Sequence, residues 1–196
     1  MKVDISNKTN KFAKRTLAAF SETLFMLLEK TPLETISVQK LCDSCDYPRS
    51  TFYNYFEDIY DLVEYCWEVI AGDMDINKCM KLPEEERTNA IFTIMYDYLK
   101  GRTEQINKII KYNGLDGRMM FSLSKYMKTR IKEIIAVCEY SNHYPIRQDV
   151  IVDFYAGTFE MLLEKCFFEK QVLSKEDAMT ALSFLIGSIE KEVHKR

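Results

Sequence analysis

Apolar residues recur at three- and four-residue steps along almost the whole chain. No stretch alternates apolar and β-branched with polar positions, so the pattern predicts an all-α protein. Phe12, Leu17, Phe20, Leu24, Leu27 and Leu28 define a first helix from about Asn10 to Lys30, which Pro32 prevents from continuing. Ser37 is placed to cap a second, with Ile36 and Leu41 as a hydrophobic staple and Val38, Leu41, Cys42 and Cys45 on its inner side. It is barely two turns long, so packing must hold it. At "DYP" the pattern breaks: Asp46 tolerates a left-handed turn, and Pro48 can start a helix but not continue one. A third helix follows from about Arg49 to Phe56. Phe52 and Phe56 point inward, which leaves Arg49, Ser50, Tyr53 and Asn54 outward and Tyr55 at the boundary.

From Asp58 a longer fourth helix carries Ile59, Leu62, Val63, Cys66, Val69 and Ile70 on one face and runs into the 70s as the connector between domains. "KLPEEER" opens another, with proline and glutamates in its first turn, reaching about Lys100. A short helix between glycine breaks, one from about Met119 to Glu139, the loop "SNHYP", and helices over 146–170 and 175–193 complete the chain. The expectation is nine helices in two domains, 1–60 and 61–196. In the last two helices Phe159, Leu162, Ala178, Ala181, Leu182, Leu185, Ile186 and Ile189 form wide apolar faces, which predicts a homodimer closed by a four-helix bundle.

Two short amphipathic helices around a tight turn, braced by a longer one, make a helix-turn-helix whose second helix can enter a DNA major groove. The run "TPLETISVQKLCDSCDYPRSTFYNYFEDIYDLV" resembles the DNA-binding end of TetR/AcrR-type bacterial transcriptional regulators, and the resemblance covers roughly Lys11 to Val69. Its strongest part is "STFYNYFEDIYDLV". The resemblance implies that Ser37 caps the second helix near a phosphate and that Arg49 and Ser50 approach base edges. It further implies that Tyr53, Asn54 and Tyr55 meet phosphates or bases, assisted by Thr51. A ligand-responsive repressor, dimeric on a palindromic double-stranded operator and answering to a small-molecule effector, is the expected function. Asp46 stands where that family has glycine, Pro48 where it has serine or threonine, and Ile59 near its usual lysine.

Composition adjusts this picture. A net charge of −3 argues against binding by bulk positive charge, so what matters is the local potential, to which Lys8, Lys11, Lys14, Arg15, Lys40 and Arg49 contribute. Because Asp46, Glu57, Asp58 and Asp61 weaken it, a helical dimeric adaptor that has lost DNA binding is the alternative. Without a signal-like segment or a long apolar run the protein is expected in the cytoplasm, off the membrane, with its six cysteines reduced. "CDSC" puts both thiols on an apolar face with no second metal-spaced pair. Two isolated histidines and the lack of a glycine-rich phosphate loop leave no catalytic constellation, so no enzyme, metal or cofactor is expected. Trp67, Phe92, Met95, Tyr96, Met119, Phe121, Tyr126, Phe154, Tyr155 and Phe159 are candidates for a ligand pocket between helices.

Overall fold

The computed structural model describes residues 11–136 and 145–194, apart from the side chains of Glu84 and of 188–194. Among them nine α-helices occur and no strand: α1 (Lys11–Leu28), α2 (Val38–Cys45), α3 (Arg49–Tyr53), α4 (Ile59–Met74), α5 (Glu84–Lys100), α6 (Thr103–Asn113), α7 (Arg118–Ala136), α8 (Gln148–Phe167) and α9 (Lys175–His194). Two 3-10 turns, Leu33–Thr35 and Ile76–Lys81, sit between them. Asn10, Glu139 and most of the "SNHYP" loop lie outside the described residues.

The fold divides into two compact units. The first takes the chain through Ile70 together with Glu104–Leu123, and the second takes Ala71–Thr103 and the chain from Ser124 onward. This boundary falls beyond residue 60, and a later segment, α6 with the start of α7, joins the first unit.

In the first unit an aromatic chain ties the helix-turn-helix to its braces. The Phe20 ring meets Phe52 edge-on at 5.5 Å, Phe52 meets Phe56 at 5.4 Å, and Phe56 meets Tyr65 of α4 at 5.6 Å. Such pairs contribute about 0.5–1.5 kcal/mol each beyond their buried area. Leu24, Leu28, Leu41 and Leu62 fill the space around them and are fully buried. Phe12, by contrast, is 75% exposed.

Helix α3 ends sooner than its periodicity predicts. Its hydrogen bonding nevertheless persists, with Asn54 N donating to Ser50 O at 3.2 Å and Phe56 N to Phe52 O at 3.0 Å. The chain then turns directly into α4 through a reciprocal cap. Asp61 N donates to Asp58 Oδ1 and Glu57 N donates to Asp61 Oδ2, both at 2.9 Å, which satisfies one first-turn amide of the helix and the amide just before its cap.

In the second unit α5, α8 and α9 pack together. Phe92 and Phe159 meet edge-on at 5.7 Å, while Ala156 and Ala178 are fully buried where helices approach closely. Phe159, Leu162, Ala178, Leu182 and Ile186, expected to face a second copy, are buried by this chain itself. Ala181 and Leu185 are half-buried, and the Ile189 side chain lies outside the described residues. Among the described side chains of these helices the exposed large apolar ones are Val150, Met161 and Phe184, the last 78% exposed.

Candidate nucleic-acid interface

Ser37 begins α2 as its sequence position predicts: extended at φ −89°, it accepts the Lys40 amide on its side chain at 3.1 Å. Asp46 closes the helix in the left-handed conformation, φ 56° and ψ 43°. Its amide donates to Cys42 O, and Tyr47 N shares that acceptor at 3.1 Å. Pro48, at φ −61°, then starts α3 without needing an amide. Together these set two short helices around a three-residue turn.

On α3 the residues named for DNA contact separate by burial. Arg49, Ser50, Tyr53 and Asn54 are exposed, Thr51 and Tyr55 are half-buried, and Phe52 is the core anchor. Arg49 Nη2 lies 3.4 Å from the Tyr53 hydroxyl and its guanidinium stands 5.8 Å from the Tyr53 ring centre. This one-turn contact favours the charged guanidinium and raises its pKa further. The bond is long and fully exposed, so Arg49 can exchange it for a partner in solvent at little cost. The Tyr53 ring is itself braced edge-on against Phe52 at 5.6 Å.

The charge around this helix is divided. Between Ser37 and Asp61 stand two cations, Lys40 and Arg49, against Asp43, Asp46, Glu57, Asp58 and Asp61. Asp43 is engaged by Gln39 Nε2 at 2.5 Å, and Asp58 and Asp61 are occupied in the cap of α4. On α1 the exposed Lys11, Lys14 and Arg15 crowd the first turns, where no acidic residue balances them. Lys8 lies outside the described residues.

The "CDSC" pair has the environment of core thiols. Cys42 is buried, Cys45 Sγ donates to Leu41 O at 3.2 Å, and burial raises both pKa values. No group of three or more potential metal ligands occurs among the described residues.

The candidate pocket residues are distributed over both units. Trp67 and Met119 are buried in the first, and the Trp67 indole donates to Ser122 Oγ at 3.1 Å. Phe121, in the first turns of α7, is 74% exposed. In the second unit Phe92 and Phe159 are core, and the Tyr96 ring lies 4.9 Å from Phe167 with Lys175 Nζ 5.3 Å above it. Phe154 and Tyr155 contact each other edge-on, and Met95 and Tyr126 are half-buried. Glu160 of α8 was not foreseen: its Oε1 is buried without a hydrogen-bond partner among the described residues. Asn113, also unforeseen, bonds α6 to the α1 corner across 80 residues of sequence, a pairing that no local pattern announces.

This arrangement defines an all-helical protein with an N-terminal helix-turn-helix. No family model matches the chain, and no curated protein matches it in sequence. Solved structures do share its fold. A protein assigned to the TetR family of transcriptional regulators, from Syntrophomonas wolfei, superposes with a TM-score of 0.67 at 15% identity, over 91% of this chain and 96% of that one. A protein described as a transcriptional regulator, from Pseudomonas aeruginosa PAO1, superposes with a TM-score of 0.55 at 11% identity, over 99% and 98% of the two chains. The fold is thus of the TetR/AcrR type. No described helix is long and apolar enough to cross a membrane.

Proposed function

We propose that the protein is a DNA-binding transcriptional regulator that reads a two-fold symmetric duplex as a homodimer and represses until a small molecule releases it. The observation that carries this reading is the exposed row Arg49, Ser50, Tyr53 and Asn54 on a helix whose opposite side is anchored by Phe52. Lys11, Lys14 and Arg15 add charge for phosphate contacts on the helix that braces the reading head. The fold shared with two proteins described as transcriptional regulators supports the same reading.

A second copy has a place to dock on the exposed sides of α8 and α9. Val150, Phe154, Gly157 and Met161 follow one another at helical spacing, and Phe184 stands out from α9. Gly157 and Gly187 lie inside these helices, where glycine costs roughly 0.5–1 kcal/mol relative to alanine. Beyond the adjoining residues and the backbone of the helix itself, no atom of the described residues comes within 4 Å of a Cβ built on either, so the packing described here does not require glycine there. Close approach of a partner's helix would. For the effector, the buried unpartnered Glu160 Oε1 favours a molecule that brings a hydrogen-bond donor.

The competing reading is an adaptor that no longer binds DNA, favoured by the five carboxylates around α3. Mobility shift on the protein's own upstream region at several salt concentrations separates the two. A regulator shifts that duplex selectively, and Arg49→Ala costs about 1–3 kcal/mol with loss of preference at one position per half-site. A wild-type protein without preference for any upstream duplex at moderate salt refutes the proposal.

A further inference from the structure

We propose that Asn113, at the end of α6, is a positioning residue for DNA reading: it fixes the corner from which the recognition helix-turn-helix hangs. The inference rests on the DNA-binding reading above. It starts from Pro32. A helix leaves its last four carbonyls without backbone partners, and Leu28 O would look to the amide four residues on. That residue is Pro32, which has none. Lys30 N and Thr31 N both fold back on Leu27 O instead, at 3.0 and 2.9 Å, and the Thr31 hydroxyl joins them at 2.8 Å. Leu28 O gains its donor from Asn113 Nδ2 at 3.1 Å.

The same side chain serves the other side of the break. Leu33 N opens the 3-10 turn and donates to Asn113 Oδ1 at 2.8 Å. Leu28 is 1% and Leu33 2% exposed, so water is a poor substitute for either bond. One amide thus completes both the end of α1 and the start of the segment that leads into α2. From Leu33 the path is short: Ile36 N donates to Leu33 O at 3.0 Å, and Ser37, the cap of α2, is the next residue.

The Asn113 backbone is fixed in turn. Gly114 follows at φ 65°, its amide donating to Ile110 O at 2.8 Å. A Cβ on Gly117 would lie 2.0 Å from Asn113 O, which only glycine avoids without moving backbone. At the other end of α6, Gln105 Nε2 donates to Glu29 Oε1 at 2.9 Å, so the helix is held against the end of α1 at two points.

The test uses the full chain carrying Asn113→Ala or Asn113→Asp. The aspartate keeps an acceptor for Leu33 N but lacks the donor for Leu28 O. Amide hydrogen exchange should be about ten- to a hundredfold faster at Leu33 in the alanine variant, unchanged in α8, and near wild type at Leu33 in the aspartate variant. A duplex selected from a random pool by the wild-type protein is then offered with its half-site spacing altered by single base pairs. The alanine variant should bind the spacing series more evenly than wild type, and the aspartate variant should lie between them. Exchange at Leu33 that does not respond, or that rises equally in α8, overturns the proposal, as does an unaltered spacing preference. If the wild-type protein selects no duplex, the DNA-binding reading itself fails, and the positioning role with it.

Discussion

Asp46 offers a test in which backbone and charge effects separate. It holds a left-handed conformation, φ 56°, which costs an ordinary L-residue roughly 1–2 kcal/mol and a short polar one somewhat less. Glycine removes that cost but gives back about 0.5–1 kcal/mol in unfolded-chain entropy. Asp46→Gly should therefore lie about 0.5–1 kcal/mol above Asp46→Ala in stability, with wild type and Asp46→Asn between them. In a unit of this size each kcal/mol moves Tm by roughly 4–8 °C. Trp67, the single tryptophan, is buried in the same unit and reports its unfolding. All three substitutions also remove one carboxylate from the reading head. At a distance on the order of 10 Å from a phosphate in water that is worth about 0.4 kcal/mol, a near-doubling of affinity per half-site that fades with salt. Tm should thus rank glycine, then asparagine, then alanine, while DNA affinity rises alike in all three. If Asp46→Ala melts with or above Asp46→Gly, the left-handed cap does not carry the strain assigned to it.

Two further outcomes are expected. Phe184→Asp should leave the fold intact and give monomers in sedimentation, whereas Leu182→Asp, placing a charge in this chain's own core, should unfold it; a dimeric Phe184→Asp puts the interface elsewhere. Burial pushes the Cys66 thiol up to about 12 from an ordinary 9.0, so above pH 9 the unfolded chain releases a proton that the folded one retains. Stability should then fall as pH rises from 9 toward 12, by up to about 1.4 kcal/mol per unit from this residue, and Cys66→Ala should flatten that slope in pH-dependent denaturation.

The all-helical fold and the helix-turn-helix were legible because both rest on local rules. Ser37 as a cap, Asp46 as a left-handed turn and Pro48 as a helix start depend on neighbours within four residues, and the sequence shows those neighbours. Periodicity also identified the buried sides of α8 and α9, but a buried side does not say who buries it. Leu182 and Ile186 are covered by their own chain, and Phe184 beside them is open. For a related reason the aromatic pattern alone does not say what covers Phe121, which is 74% exposed on its own chain. Asn113 was out of reach altogether. Its type and place at a helix end are ordinary, and its importance comes from Pro32, a missing donor far away in the sequence.

The first unit is built from two separated stretches, the chain through Ile70 and Glu104–Leu123, and this carries a consequence for synthesis. A ribosome adds about 5–20 residues per second, so the second stretch follows the first by roughly 3–10 seconds. During that interval the nascent helix-turn-helix has its aromatic core but neither hydrogen bond from Asn113, and Trp67 lacks Ser122. The part of the protein made first is therefore finished late, and a pause between codons 70 and 123 would prolong the time in which its unpaired corner is open to chaperones or to other nascent chains.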